Sequence, residues 1–149
     1  MDLTYELSPH FKWQEMTITE IRPLQDENRT LAAGVVLALQ KLCIDLLEPV
    51  REARGPMIVH SGYRCPNLNK LIGGSPTSQH CFGMACDFNV LNRLDPASIE
   101  EDFNWIWKQS RLQWHQLIFE NNWIHIALPT GDHDQQVMTF QNGVYTHLA

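Results

Sequence analysis

The sequence has few basic residues and no long apolar run. Its 11 Lys and Arg residues are outnumbered by 17 Asp and Glu residues, the net charge is -6, and the basic residues form no cluster. Nucleic-acid binders and proteins of acidic membrane surfaces need clustered cations, so both classes are disfavoured. No apolar stretch reaches the ~18 residues that span a bilayer. We therefore expect no nucleic acid and no membrane among the partners.

Cysteine is also scarce, and its spacing argues against a zinc site built from thiolates. The four residues contain no C-x-x-C pair and no zinc-finger spacing; they are Cys43, Cys65, Cys81 and Cys86. A disulfide between Cys65 and Cys81 is possible, because both residues flank the segments that contain the candidate site. Reduced thiols are the alternative, which a cytoplasmic start favours.

The start of the chain lacks the features of a signal peptide. Asp2, Thr4 and Glu6 follow Met1, where a secreted protein has a basic and then an apolar run. We therefore expect synthesis in the cytoplasm, and any action outside it requires another export route.

The length of 149 residues and the hydrophobic content of 44% indicate one globular domain over 1–149. Apolar residues at three- and four-residue intervals predict a helix over 31–54, whose last turns Pro49 should bend or loosen. Residues 1–29 are polar and irregular. Three residues within them are the expected anchors on the domain surface: His10, Phe11 and Trp13.

The rest of the chain alternates strand and helix patterns. Asp95-Pro96 starts a helix that reaches about residue 110. Asn142-Gly143 favours a type I′ turn in a hairpin over about 136–148. We therefore predict an α+β domain with a small, mainly antiparallel sheet and helices packed on one face. Short apolar runs predict its strands over 57–60, 85–90, 116–120 and 123–128.

One segment contains the first two candidate metal ligands. In Ser78-Gln-His-Cys-Phe-Gly-Met-Ala-Cys-Asp87, His80 and Asp87 are seven residues apart, Gly83 turns the chain between them, and a strand follows. A hydrolytic zinc site uses three His or carboxylate ligands and keeps a fourth position open. His80 and Asp87 fit two of these positions, although a surface histidine and a turn-capping aspartate have the same pattern.

His125 is the third candidate ligand. Alternation in the strand predicted around it puts Ile124, Ile126 and Leu128 on the core face. His125 therefore projects from the opposite face, where a histidine has room to bind a metal ion.

Glu120 is the candidate general base. If Asn121-Asn122 forms a two-residue turn, Ile118 lies opposite His125, and Glu120 shares a sheet face with His125. The two backbones are then about 5–8 Å apart. This arrangement places a carboxylate beside a metal-bound water.

Arg64 is the candidate cation for an anionic group of a substrate. Most arginines are surface charges, but Arg64 follows the strand predicted over 57–60 and precedes the loop that contains His80.

Together these residues resemble the zinc D-Ala-D-Ala carboxypeptidase family, which includes phage endolysin peptidases and shares its fold with the Hedgehog signalling domain. The family signature Ser-x-His-x-x-Gly-x-Ala-x-Asp is met at every fixed position from Ser78 to Asp87. Ser61-Gly-Tyr-Arg64 is similar to the segment with the family's substrate arginine, and Trp123-Ile-His125 to the segment with its second histidine ligand. The resemblance covers about residues 9–128.

The resemblance implies a zinc metallopeptidase with a Hedgehog-like fold and a metal site on the sheet face opposite the helices. His80, Asp87 and His125 would hold Zn²⁺, which lowers the pKa of a bound water. The implied reaction is hydrolysis of D-amino-acid peptide bonds in peptidoglycan stem peptides. Carboxypeptidase and endopeptidase action both fit this description.

The resemblance also implies roles for three further side chains. Glu120 would take the proton of the water and return it to the leaving amine. Arg64 would orient the substrate and stabilise the oxyanion. Ser78 would contact the substrate or hold the loop. Many family members place the acid three residues before the second histidine, where this chain has Asn122, and Glu120 is the substitute that we predict.

Two alternatives to catalysis stay open. The first is a non-catalytic zinc-containing module that binds the cell wall or belongs to a virion. The second is a metal-free structural domain. We expect a monomer that acts at the cell wall or in the periplasm after release from the cytoplasm, with a phage or a bacterial origin.

Overall fold

The computed structural model describes residues 2–149, which contain eight strands and six α-helices. The strands are β1 (Glu6–Ser8), β2 (Phe11–Lys12), β3 (Met57–Ser61), β4 (Ala85–Val90), β5 (Gln116–Phe119), β6 (Ile124–Ala127), β7 (Gln136–Gln141) and β8 (Val144–His147). The helices are α1 (Trp13–Met16), α2 (Gln25–Asn28), α3 (Ala33–Leu42), α4 (Glu48–Arg54), α5 (Pro66–Leu71) and α6 (Pro96–Trp107). The predicted α+β class is confirmed.

Six of the strands form one sheet in the order β3-β4-β6-β5-β7-β8. All neighbours are antiparallel except β5 and β7, which run parallel. The sheet is therefore larger and more mixed than the small, mainly antiparallel sheet that we predicted. The difference arises because the C-terminal hairpin of β7 and β8 adds to the edge of the sheet through β5.

The helix predicted over 31–54 is present, but its middle has π geometry. A π segment over Cys43–Leu47 joins α3 to α4 without a break. Pro49 lacks an N–H group, and its ring would clash with the carbonyl four residues earlier in a regular α-helix. The wider π turn just before Pro49 removes this conflict, so the expected loosening takes the form of a π segment. The buried stripe of the helix contains Leu39, Leu42, Leu46 and Val50.

The amino-terminal segment is more regular than its sequence indicates. It contains β1, β2, α1, a 3-10 turn over Arg22–Leu24 and α2. The prediction of irregular structure was wrong because these elements have two to four residues each, too few for a periodic pattern. Phe11 and Trp13 are buried as expected. His10 is exposed and bonds through Nδ1 to the Glu48 carboxylate at 2.8 Å.

Local signals for turns and caps are confirmed at two places. The Asp95 carboxylate accepts a hydrogen bond from the N–H of Ser98 at 3.0 Å and so caps α6. Asn142 and Gly143 have φ angles of 52° and 76°, as a type I′ turn requires.

All four cysteines are free thiols, so Cys65 and Cys81 form no disulfide.

The two faces of the sheet have different surroundings. Cys86, Phe88, Ile124 and Ile126 lie on one face and belong to the hydrophobic core with residues of α3, α4 and α6. Alternate residues of β4 and β6, among them Asp87 and His125, lie on the other face.

In the described part of the chain no single helix is long and apolar enough to cross a membrane. One bent helix pair, Arg22–Asn28 and Ala33–Arg54, meets that test by length and composition only.

Candidate metal centre

His80, Asp87 and His125 form a cluster in which one potential ligand atom of each residue lies within 4.8 Å of the others. Asp87 on β4 and His125 on β6 are directly opposite each other in the antiparallel register. Asp87 Oδ1 is 2.8 Å from Nδ1 of His125 and 3.4 Å from Nε2 of His80. Two imidazoles and one carboxylate are a donor set that suits zinc.

The His80 ring is held in one tautomer by the backbone. Its Nδ1 lies 2.7 Å from the carbonyl oxygen of Gly62, which only accepts hydrogen bonds. Nδ1 therefore carries the proton, and the lone pair of Nε2 faces Asp87. A ligating histidine is normally oriented by such a second hydrogen bond. The side chain is 2% exposed, so it has little freedom to turn away from this position.

The loop that contains His80 is fixed against α3. Residues Gln79–Phe82 form a 3-10 turn that ends at Gly83, whose φ is 72°. A Cβ atom at Gly83 would lie 2.8 Å from the backbone oxygen of Val35. Glycine is therefore needed both for the left-handed conformation and for the close approach to the helix.

The charge state of Asp87 also fits a metal ligand. Burial alone would raise the pKa of Asp87. The neighbouring imidazoles of His80 and His125 outweigh burial and hold this pKa well below its usual range. Asp87 is therefore a carboxylate throughout the physiological range.

The turn between β5 and β6 has the register that we predicted. Ile118 lies opposite His125, and the N–H of Glu120 donates to the carbonyl of Trp123 at 3.0 Å. Asn121 has a φ of 71°, the left-handed conformation that the turn demands. Glu120 thus reaches the face that carries His125. Burial raises the pKa of Glu120, and the negative charge of Asp87 raises it further.

Arg64 and Ser78 lie beside the cluster and are bonded to each other. Arg64 Nη2 donates to Ser78 Oγ at 3.1 Å, and the same oxygen accepts from the N–H of His80 at 3.3 Å. The N–H of Arg64 donates to the carbonyl of His80 at 3.0 Å. Arg64 Nε is buried and has no partner within the described residues. Arg64 itself lines the cleft, and a guanidinium beside a metal cluster is suited to an oxygen of a bound substrate.

All six residues predicted for the site line one cleft of about 550 Å³.

The sequence matches the Peptidase M15 family over residues 9–127. The chain belongs to the Peptidase M15 family. This family consists of zinc metallopeptidases, and the match confirms the resemblance that the motif from Ser78 to Asp87 indicated. No curated protein matches the chain.

Several side chains of the M15 cleft have no signal in the sequence. His115 lines the cleft, and its Nδ1 lies 2.9 Å from Asp134 Oδ1. The N–H of Thr130 and the contact with His115 lower the pKa of Asp134 to about 2, against the effect of burial. Nothing in the sequence connects these residues, because they meet only when the loop after β6 folds back. Trp123 and Tyr145 also line the cleft.

The other histidines lie outside the metal cluster. In residues 2–149 the cluster of His80, Asp87 and His125 is the one group of three such side chains that could hold a metal ion. His60 bonds to Asn89, and His133 is exposed.

Proposed function

We propose that this protein is a zinc-dependent D,D-peptidase that hydrolyses D-amino-acid peptide bonds in peptidoglycan stem peptides. Membership of the M15 family supports a metallopeptidase. The observation that carries the proposal is that Glu120, Arg64 and the three candidate metal ligands line a single cleft. A base, a cation and a metal site together are what hydrolysis of an amide requires.

The metal site fits zinc by its donor set and by the hydrogen bond that orients His80. His80 would bind through Nε2, which Gly62 leaves free, and His125 through Nδ1, which faces Asp87. A zinc ion held there would lower the pKa of its water and polarise the substrate carbonyl. The protein's contribution is the fixed orientation of all three ligands, two of which come from paired strands.

Glu120 is the proposed general acid and base. It would accept the proton of the attacking water and deliver it to the nitrogen of the leaving amine, as the peptide bond between carbon and nitrogen breaks. Its raised pKa suits this role, because a carboxyl group with a raised pKa accepts the proton of the water more readily. Asn122, at the usual family position of the acid, has no acidic group to offer.

Arg64 is the proposed substrate cation, with Ser78 as its support. Arg64 would donate from a terminal nitrogen to the substrate carbonyl or carboxylate and stabilise the oxyanion as charge develops. Ser78 Oγ occupies one Nη2 donor and so fixes the plane of the guanidinium. We propose that the protein acts as a monomer at the cell wall or in the periplasm after release.

The proposal is tested by mass spectrometry of digested peptidoglycan. The zinc-loaded wild type should release shortened or uncrosslinked stem peptides, and His80→Ala and Glu120→Ala should not. His133→Ala is the matched control, because His133 is exposed and lies outside the metal cluster. Muropeptides left intact by the wild type would contradict the proposal for this substrate. Zinc content without activity, unchanged by Glu120→Ala, would favour the non-catalytic module.

A further inference from the structure

The hairpin of β7 and β8 lies beyond the part of the chain that matches the M15 family, which ends at residue 127. The hairpin nevertheless extends the sheet face that carries the metal cluster. Ile118, opposite His125, pairs with Met138 on β7. Side chains alternate along a strand, so Phe140, two residues after Met138, lies on the same face. Tyr145 on β8 is the direct partner of Phe140.

Tyr145 is the residue through which this hairpin reaches the cleft. It lines the cleft together with Glu120, Trp123 and His125. Its ring packs against Phe140, with the two ring centroids 4.4 Å apart. No group in residues 2–149 hydrogen-bonds the Tyr145 hydroxyl, so its donor and acceptor positions are free.

The surroundings of Tyr145 argue against a role in the hydrophobic core. Every residue of β8 is exposed, and Tyr145 itself is 54% exposed. A large aromatic side chain at the mouth of a polar cleft, outside the core, is typical of a contact surface. Phe140 supports the ring from one side, which limits the positions that it can adopt.

The surroundings of the Tyr145 hydroxyl favour its protonated form. Burial raises its pKa, and the negative charges of Glu120 and Asp87 raise it further. The strand register places Tyr145 on the Glu120 side of the metal cluster. Phe119 pairs with Thr139, so Glu120 is level with Phe140, whose partner on β8 is Tyr145. Arg64 and Ser78, by contrast, are bonded to the loop that contains His80.

We propose that Tyr145 is a substrate-binding residue for the leaving-group side of the scissile bond. The inference rests on the proposed function, because Glu120 must reach the leaving nitrogen to protonate it. The amino acid that bears this nitrogen therefore lies on the Glu120 side, next to Tyr145. The hydroxyl donates a hydrogen bond to a carboxylate or carbonyl oxygen of that amino acid, and the ring packs against its side chain. A free carboxylate is the acceptor in a carboxypeptidase substrate, and an amide carbonyl in an endopeptidase substrate.

Steady-state kinetics of the zinc-loaded full chain on a stem peptide ending in D-Ala-D-Ala, and on its C-terminal amide, test this assignment. Tyr145→Phe should raise KM about 3–10-fold, as expected for one lost hydrogen bond, with kcat within about twofold of the wild type. Tyr145→Ala should raise KM further, because the ring contact is lost as well. A larger effect of Tyr145→Phe on the acid than on the amide identifies the carboxylate as acceptor, and equal effects identify a carbonyl.

Two control variants separate this role from general damage. Tyr5→Phe changes another partly exposed tyrosine, whose hydroxyl accepts a hydrogen bond from Gln40. Neither residue lines the cleft. Thr146→Ala changes the neighbour of Tyr145 on the opposite face of β8. Both should leave KM and kcat at wild-type values. A KM for Tyr145→Ala within twofold of the wild type, or a fall in kcat at constant KM, would overturn the inference.

A binding measurement separates failure of this inference from failure of the proposed function. Calorimetry gives the Kd of the same peptide for zinc-loaded Glu120→Gln, with and without Tyr145→Ala. A Kd that rises at least threefold supports the inference, even if the wild type cleaves slowly. An unchanged Kd overturns the inference alone when the wild type is active. A peptide that neither binds nor is cleaved overturns both.

Discussion

Asp87 and His125 face each other across β4 and β6, and one carboxylate oxygen of Asp87 lies 2.8 Å from Nδ1 of His125. The same oxygen lies 3.4 Å from Nε2 of His80. The three ligands are therefore close together because of strand pairing and one turn, and a metal ion bound by them should stabilise the fold.

Removal of the metal should lower the Tm of the wild type, but not the Tm of a variant that lacks a metal-binding histidine. A metal that binds only the folded state at 1,000 times its Kd stabilises by about 4 kcal/mol, which corresponds to a Tm shift on the order of 10 °C. We expect a chelator to lower the Tm of the wild type by this amount and to leave the Tm of His125→Ala unchanged. His60→Ala should respond like the wild type, because His60 lies outside the cluster. A wild-type Tm that is insensitive to chelation would contradict a bound metal.

Glu120 should destabilise the metal-free protein at neutral pH. Its pKa is raised in the folded state, so the folded protein binds the proton more tightly than the unfolded chain does. The resulting penalty is absent well below the usual carboxyl pKa, appears as the pH rises through the two pKa values, and is complete above both. Glu120→Gln should therefore be more stable than the wild type at pH 8 in chelator, and the difference should vanish near pH 3.

Urea denaturation at several pH values measures this difference. Glu101→Gln is the control, because the Glu101 side chain is 67% exposed and bonds only to Arg93. A difference for Glu120→Gln that is independent of pH would show that packing, and not ionisation, causes it.

Arg64 and Ser78 should differ strongly in their effect on turnover. Arg64→Ala removes the charged donor that we propose for the developing oxyanion, and we expect kcat/KM to fall about 100- to 1,000-fold. Ser78→Ala removes one neutral partner of Arg64, with an expected fall of about 2–10-fold. Arg111→Ala, which changes an exposed arginine outside the cleft, should have no effect. Equal losses for Arg64→Ala and Ser78→Ala, at full zinc content, would contradict these roles.

Gly83 should be far less tolerant of a side chain than Gly143. Gly83→Ala combines a left-handed φ with a Cβ atom 2.8 Å from a backbone oxygen of α3, and we expect a loss of about 2–5 kcal/mol in the free energy of unfolding. Gly143 has a similar φ of 76° but open space around it, so Gly143→Ala should cost about 1–2 kcal/mol. Urea denaturation of the two variants checks the comparison. A cost for Gly83→Ala no larger than that for Gly143→Ala would show that the loop with His80 is free to move away from the helix.

The parts of the site that lie in local patterns could be predicted from the sequence. The alternation around His125 and the Asn121-Asn122 turn fix which residues share a face, because a two-residue turn leaves one register. The motif from Ser78 to Asp87 is similarly local. These features depend only on residues that are close together in the chain, so they can be predicted from a single sequence.

The remaining parts depend on contacts between distant segments. The parallel pairing of β7 with β5 brings Tyr145 to the cleft, and no short-range pattern specifies a parallel neighbour. The contact of His115 with Asp134 depends on the path of the loop over 128–135. The Gly62 carbonyl that orients His80 is a backbone group, which has no sequence signature at all.

Two hydrogen bonds join the segment Ser61–Arg64 to the loop that contains His80. The His80 ring donates to the Gly62 carbonyl, and the Arg64 N–H donates to the His80 carbonyl. The loop with the candidate metal ligand His80 and the segment that ends at the candidate substrate residue Arg64 are thus held together by the backbone. A substrate that orders Arg64 should therefore also order His80, and a metal ion on His80 should do the same for Arg64. We expect metal and substrate affinities to be thermodynamically linked, so that each ligand tightens the binding of the other by the same factor.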